Sequence, residues 1–140
     1  MASGIKVSSD VLTAFEELKK DHKYKCVTFR VSDDETEIIV ENKVPEMTWD
    51  EFQASLPGDQ PRWAVYDFDY KNKEGHDRSK VIMVKWCPDD GVKVKARMIH
   101  SSSSDALIKK CRGISKPIQA SDRGDLNFNE VRDHILLTSQ

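Results

Sequence analysis

Two stretches of the sequence give the strongest indication of β-structure: Trp63-Ala64-Val65-Tyr66-Asp67-Phe68-Asp69-Tyr70 and Val81-Ile82-Met83-Val84-Lys85-Trp86. Both stretches are rich in β-branched and aromatic residues, which are enriched in strands. The segment between them, residues 71–80, is rich in charged residues. The pattern therefore predicts two central antiparallel strands joined by a charged loop over residues 71–80.

The residues before these strands predict a helix and a hairpin. Ser8 or Ser9 can cap the helix, because a serine hydroxyl accepts a hydrogen bond from a backbone N–H group in the first turn. The apolar residues of this helix recur at helical spacing and are Val11, Leu12, Phe15 and Leu18. Residues 26–31 and 37–44 then form two β-branched and aromatic runs, and the polar residues 32–35 between them indicate a hairpin.

Two further helices are indicated by their capping residues. Thr48 and Glu51 have the spacing of a capping box, and a Pro-Gly pair at 57–58 ends the short helix that follows. Near the end of the chain, Asn127 and Glu130 can cap a last helix in the same way.

A long helix is predicted between these two. Residues 92–112 contain no proline or glycine, and Gly113 follows as a stop signal. Four serines at 101–104 interrupt the segment, and because serine side chains compete for backbone hydrogen bonds we expect a bend or a restart there. Residues 117–120 are expected to form a short edge strand.

Together these elements predict a layered α/β or α+β domain. Its sheet is expected to be mixed, with four or five strands and with helices before, between and after them. A chain of 140 residues fits a single domain over residues 1–140. Hydrophobic residues at 38% and charged residues at 33% are typical of a globular protein with one core.

Composition argues against several classes of function. A formal net charge of −2 provides no global field for binding nucleic acid or membrane. The three cysteines include no CxxC pair, so a zinc site and a disulfide framework both lack support. Because the sequence also has neither a signal peptide nor an apolar run of membrane-spanning length, we expect a cytoplasmic protein with reduced thiols.

The best candidate for catalysis is a pair of carboxylates, Asp67 and Asp69. They alternate along a strand and so share one face, as an acid/base pair for glycoside cleavage would require. Their neighbours on the opposite face, Tyr66, Phe68 and Tyr70, are typical core residues. The simpler interpretation is therefore that the aspartates mark the solvated face of an edge-exposed strand. With scattered histidines and no glycine-rich phosphate loop, the sequence indicates no enzyme and no metal or cofactor.

Local clusters of positive charge are the remaining functional signal. Cations at 109–112 complement the dipole at the end of the long helix and need no partner. Cations at 93–97 gain nothing from that dipole, so they predict a docking site for an acidic surface. Because successive helix residues turn by about 100°, Lys95 and Arg97 reach one partner only if the helix begins near them. Arg78 and Lys80 form a second, separate basic cluster.

Several motifs occur in a specific order along the chain. They are Met1-Ala2-Ser3-Gly4-Ile5, Leu56-Pro57, Arg62-Trp63-Ala64-Val65-Tyr66-Asp67-Phe68-Asp69-Tyr70, Arg78-Ser79-Lys80, Trp86-Cys87-Pro88-Asp89, Lys95-Ala96-Arg97-Met98, Ser102, Asp105-Ala106-Leu107 and Lys109-Lys110. In order and spacing the chain resembles the actin-depolymerising factor (ADF)/cofilin family over essentially its full length. The resemblance implies a single ADF-homology domain with a five-stranded mixed sheet between helices.

The resemblance also implies an actin-binding function. A member of this family binds monomeric actin (G-actin) and filamentous actin (F-actin), prefers ADP-bound subunits and promotes filament depolymerisation. The implied monomer site comprises Ser3, Gly4, Ile5, Lys95, Arg97, Met98, Asp105 and Lys109. The implied filament site comprises Arg78, Lys80, Asp133 and His134. The alternative is a related side-binding domain without disassembly activity, but such a domain needs no monomer-inserting helix.

Regulation and further partners follow from the same resemblance. Ser3 matches the family's phosphorylation site, where added negative charge would oppose docking on acidic actin. The family's overlap between actin-binding and phosphoinositide-binding surfaces implies that anionic lipid headgroups can meet Lys95, Arg97, Lys109 and Lys110. The protein is expected to act as a monomer in the cytoplasm and at the cytoskeleton, without nucleic acid.

The chain departs from the family pattern in two regions. Ser104 and Ile108 stand where a basic residue is common and His100 where an aromatic is common, which predicts a monomer site with less charge. In the last helix, His134 and Leu137 stand where many members have further basic groups. Because several exposed contacts worth about 0.2–1 kcal/mol each would be lost, we expect intact monomer binding with weak severing.

Overall fold

A computed structural model describes residues 5–114 and 117–138, which form a mixed sheet of six strands. The strands are β1 (Lys6–Val7), β2 (Cys26–Val31), β3 (Glu37–Val44), β4 (Arg62–Lys71), β5 (Asp77–Trp86) and β6 (Ile118–Ala120). Their order across the sheet is β1-β3-β2-β4-β5-β6. The outermost pairs, β1 with β3 and β5 with β6, are parallel, and the others are antiparallel. The mixed sheet is confirmed, with the two-residue strand β1 in addition to the five expected strands.

Helices cover both faces of the sheet. They are α1 (Ser9–Lys19), α2 (Trp49–Ser55), α3 (Val94–Lys110) and α4 (Phe128–Thr138), with a short 3₁₀ turn at Arg123–Leu126. One core lies under α1 and α3, and a second core lies on the other face under α2 and α4. Alternate residues of β4 enter the two cores, Trp63 and Val65 the first and Tyr66 and Phe68 the second. In the described parts of the chain, no helix combines the length and hydrophobicity that crossing a bilayer requires.

The predicted helix caps are confirmed. The Ser8 hydroxyl accepts a hydrogen bond from the backbone N–H of Asp10 at 3.4 Å. Thr48 and Glu51 form the reciprocal capping box at the start of α2. Asn127 Oδ1 accepts from two backbone N–H groups in the first turn of α4. These side chains satisfy N–H groups that have no partner within the helix itself, which is why helices begin at these positions.

The hairpin formed by β4 and β5 is longer than predicted. Its strands extend to Lys71 and from Asp77, so the expected loop over residues 71–80 is a tight turn of five residues, 72–76. Asn72 Oδ1 accepts hydrogen bonds from two backbone N–H groups of that turn, and Gly75 has the positive φ of 82° that the turn requires. Charged residues occupy the ends of β4 and β5 at this turn, because β4 extends beyond β2 and the side chains there are exposed to solvent.

The long helix α3 is continuous, so the helix restart expected at the serine run was wrong. The helix begins at Val94 and ends at Lys110 without interruption. Ser104 Oγ donates to the carbonyl of His100 at 2.7 Å and accepts from Trp63 Nε1 at 2.9 Å. The hydroxyl therefore joins the helix to the sheet, because it bonds to a carbonyl of the preceding turn without displacing a backbone hydrogen bond.

A lysine from α1 closes the end of α3. Lys19 Nζ donates to the carbonyl of Arg112 at 2.8 Å. Gly113 follows with a φ of 89°, and a Cβ atom at this residue would overlap the Lys19 amine. The chain can leave α3 here only because residue 113 has no side chain.

Candidate functional site

The outer face of α3 carries an exposed stripe of mixed chemistry. Val94, Met98, Asp105 and Lys109 lie within about 60° of one another around the helix axis. Val94 is 73% exposed and Met98 is 65% exposed, although both are apolar. Val94 was missed in the sequence, where its spacing of four residues from Met98 was the available signal. The stripe thus combines an apolar end with a charged end.

Lys95 lies on one flank of this stripe and forms an ion pair. Its Nζ is 3.0 Å from Glu35 Oε1, and Glu35 belongs to the turn between β2 and β3. Both side chains are well exposed. The first turn of α3 contains no acidic residue and has no side-chain cap. The partial positive charge of the helix N-terminus therefore adds to the charge of Lys95.

Arg97 lies on the opposite flank and is half-buried. Its Nη2 donates to the carbonyls of Pro88 at 3.0 Å and Asp89 at 2.8 Å, and its Nη1 lies 3.9 Å from Cys87 Sγ. Burial raises the pKa of the Cys87 thiol despite the nearby guanidinium. The two cations therefore diverge, as their spacing predicted, and Arg97 holds the loop that leads into α3.

A groove between α1, β1 and α3 brings part of the predicted monomer site together. Ile5, Asp105 and Lys109 line it, whereas Ser3 and Gly4 lie outside the described residues. The other cations along the groove are Lys6, Lys19, Lys20, Lys110 and Arg112. The lysines of β1 and α1 come from distant parts of the sequence, so only the fold reveals that this groove is basic.

His100 and Ser104 belong to the core, so Ser104 is not a surface position from which the monomer site has lost a cation. His100 is 4% exposed and Ser104 is 1% exposed. The His100 ring stacks on Trp63 at a centroid distance of 4.3 Å, and its Nε2 lies 3.1 Å from the carbonyl oxygen of Arg62. Burial lowers the pKa of His100 to about 4. Ile108 is half-buried against the same core and also lines the groove beside β6.

The second basic cluster, Arg78 and Lys80, lies on the face of the sheet opposite α3. Arg78 pairs with Tyr70 and Lys80 with Phe68 across β4 and β5, and Phe68 belongs to the core under α4. The side chains of Arg78 and Lys80 therefore point to the α4 side. Arg78 and Asp133 line one groove between the hairpin and α4. Asp133 is also paired with Arg132, at 3.1 Å.

His134 lies apart from this groove. It lines a separate groove with Lys85, Ile118 and Gln119, next to the edge strand β6. Adjacent residues of a helix point about 100° apart, which separates His134 from Asp133. Of the four residues predicted for the filament site, the structure thus places Arg78, Lys80 and Asp133 together on the α4 side and His134 on another surface.

Comparison with known proteins identifies the family. The sequence model of the cofilin/tropomyosin-type actin-binding proteins matches residues 4–136. The chain belongs to the ADF/cofilin family. The cofilin of Mycosarcoma maydis is 39% identical over 135 residues, which cover 96% of each chain. The cofilin of Schizosaccharomyces pombe is 38% identical over 133 residues, which cover 95% of this chain and 96% of the relative.

Solved structures of the family confirm the fold. The crystal structure of Streptomyces griseoflavus cofilin matches with a TM-score of 0.88 at 32% identity, covering 96% of this chain and 99% of that one. As an ADF/cofilin family member, the chain is an actin-binding protein that promotes filament depolymerisation, and it is associated with the actin cytoskeleton. The alternative of a side-binding domain without disassembly activity is not favoured.

The paired aspartates have partners that explain them in this ADF/cofilin domain. Asp67 lies 3.5 Å from His22 Nδ1, and Asp69 lies 2.6 Å from Lys25 Nζ. Tyr66 and Phe68 fill the opposite core as expected, but β4 is a central strand and not an edge strand. Asp69 is exposed because β2 begins at Cys26, beside Tyr66, whereas the Asp67 side chain is only 14% exposed. Within residues 5–114 and 117–138, no three histidine, cysteine or carboxylate side chains converge as a metal site would require.

Proposed function

We propose that this chain binds ADP-loaded actin through two surfaces on opposite faces of its sheet and depolymerises filaments mainly by capturing subunits. The monomer surface consists of Ser3, Gly4, Ile5, Lys95, Arg97, Met98, Asp105 and Lys109, to which we add Val94. The filament surface consists of Arg78, Lys80 and Asp133, with His134 beside it. The observation that carries the proposal is the separation of two basic regions by the sheet, because a protein between two filament subunits needs two distinct contact surfaces.

The apolar pair on α3 is proposed to supply most of the affinity of the monomer surface. Burying a methionine or valine side chain contributes about 1.5–3 kcal/mol, whereas an exposed ion pair contributes about 0.2–1 kcal/mol. Val94 and Met98 are therefore expected to insert into an apolar cleft of actin. Lys95 and Lys109 orient the helix and raise the rate of association with an acidic partner.

We also propose that severing is weak. Beside Arg78 and Lys80, α4 presents Arg132, Asp133 and the exposed Leu137, and the Arg132 guanidinium is paired with Asp133 at 3.1 Å. These residues of α4 therefore add no net positive charge to the filament surface. The monomer surface has not lost charge at Ser104, which lies in the core. The monomer surface therefore exceeds the filament surface in positive charge by more than the sequence indicated. This difference favours disassembly by subunit capture.

Regulation is proposed to act at the groove between α1 and α3. Ile5 lines this groove, so a phosphate on Ser3 would add negative charge beside the monomer surface and oppose docking on acidic actin. The lysines of the same groove suit phosphoinositide headgroups. We further propose that the protein is a single domain over residues 1–140 that acts as a cytoplasmic monomer and catalyses no reaction.

Filament sedimentation with purified protein tests the monomer surface. Lys95→Ala and the double variant Lys95→Ala with Arg97→Ala should release less actin into the supernatant than the unmodified chain. Lys43→Ala removes the same charge from β3 and should behave like the unmodified chain. Lys95→Ala is the cleaner variant, because Arg97 also holds the loop before α3. If the double variant depolymerised actin normally, the assignment of this surface would be wrong.

A further inference from the structure

The turn between β2 and β3 is held rigid by its own side chains. Ser32 Oγ accepts hydrogen bonds from the backbone N–H groups of Thr36 and Glu37. Asp34 Oδ1 accepts from the hydroxyls of Ser32 and Thr36, both at 2.7 Å. These hydrogen bonds, that of Ser32 first, lower the pKa of Asp34. The turn therefore presents its remaining acids in defined directions.

Glu35 occupies an unusual backbone position in this turn. Its φ is 60°, in the left-handed region that glycine and asparagine favour and that disfavours long side chains. From this position its carboxylate reaches Lys95 at the start of α3. Asp33, two residues earlier, instead pairs with Arg30 at 3.0 Å. Of these two neighbouring acids, it is Glu35 that is directed at the monomer surface.

The turn and the start of α3 form two walls of one groove. Asp33 and Glu35 lie on one wall, and Lys93 and Ala96 lie on the other. Acidic groups of the chain thus face its own basic helix start. A carboxylate 3.0 Å from the Lys95 amine occupies a position that an acidic group of a docking partner would take.

We infer that Glu35 is a built-in competitor for Lys95 that sets the affinity and selectivity of the monomer surface. The inference rests on the proposed function. Lys95 must leave Glu35 to reach an acidic group of actin, and Glu35 then faces that acidic surface without its cation. Both effects oppose docking, so Glu35 limits binding to partners whose acidic groups outcompete it.

The variant Glu35→Gln tests this inference in a titration of ADP-bound actin monomers at low salt. Because an exposed pair contributes little, the dissociation constant should fall by about two- to fivefold. The gain should shrink as salt screens the pair. Asp33→Asn makes the same charge change two residues away and should leave the affinity close to that of the unmodified chain. Glu35→Gly removes the competitor and also relieves the backbone strain, so it should bind tighter while remaining folded.

Variants that lack Lys95 distinguish failure of the competitor inference from failure of the proposed function. In Lys95→Gln, the further change Glu35→Gln should have a smaller effect, because only the repulsion between Glu35 and the acidic partner surface remains to be removed. If Lys95→Gln weakens binding while Glu35→Gln and Glu35→Gly leave it unchanged or weaker, Glu35 positions Lys95 or plays no part, and the competitor inference is overturned. If Lys95→Gln itself leaves the affinity unchanged, Lys95 is not part of the monomer surface and the inference falls with that assignment.

Discussion

The monomer surface and the filament surface are anchored in different ways. On the monomer surface, Lys95 contacts Glu35 in the turn between β2 and β3, and Arg97 holds the loop before α3. The helix that carries them is bonded to the sheet through Ser104. On the filament surface, Arg78 is exposed and donates to the carbonyl of its neighbour Asp77. Substitutions near the monomer surface will therefore affect both folding and binding, whereas substitutions on the filament surface can change binding alone.

The largest expected effect is a loss of stability in mild acid through His100, beneath the monomer surface. The unfolded chain protonates histidine near pH 6.5, whereas the folded chain does so only near pH 4. Stability is therefore fully present above about pH 6.5 and falls by up to about 3 kcal/mol as the pH approaches 4. Urea unfolding at pH 7 and pH 5 measures this. His100→Phe should reduce the pH dependence, and an equal loss in that variant would contradict the assignment.

A smaller effect is expected from Ser104→Ala, which tests the anchor of α3 directly. The change leaves the buried indole N–H of Trp63 without its acceptor, at a cost of about 1–3 kcal/mol in the free energy of unfolding. Ser101→Ala is the matched control, because Ser101 is exposed on the same helix. Denaturant unfolding should distinguish the two variants. Equal stabilities would mean that the serine bond does not anchor the helix.

The smallest effects are expected when one arginine of each surface is replaced by alanine. Arg97→Ala removes two hydrogen bonds to carbonyls and should cost roughly 1–2 kcal/mol of stability as well as actin affinity. Arg78→Ala should change stability by less than about 0.5 kcal/mol and weaken filament cosedimentation a few-fold. Thermal unfolding beside cosedimentation separates these outcomes. A stability loss in Arg78→Ala as large as that in Arg97→Ala would remove the contrast between the surfaces.

Features set by local chemistry were predictable from the sequence. The capping residues Ser8, Thr48 and Asn127 begin helices because each accepts a hydrogen bond from a neighbour within three residues. The hairpin of β2 and β3 and the edge strand β6 were likewise correct. The family resemblance then placed Ile5, Asp105 and Lys109 in one site, and they do line one groove.

Features that depend on burial or on distant segments were not predictable in this way. A serine at 104 has the same local propensity whether it faces water or Trp63, so the helix restart expected at 101–104 was wrong. Two residues are too short a pattern to reveal β1 as a strand. The contact of Lys95 with Glu35 joins distant segments, and no spacing rule connects them.

The bond between α1 and the end of α3 has a consequence for the history of the sequence. The Lys19 amine occupies the space that a side chain at residue 113 would need. A side chain at residue 113 would push the flexible Lys19 amine away from the carbonyl of Arg112, and it would also be strained by the φ of 89°. Substitutions at the two positions are therefore expected to be epistatic, because a change at residue 113 removes the bond that Lys19 makes.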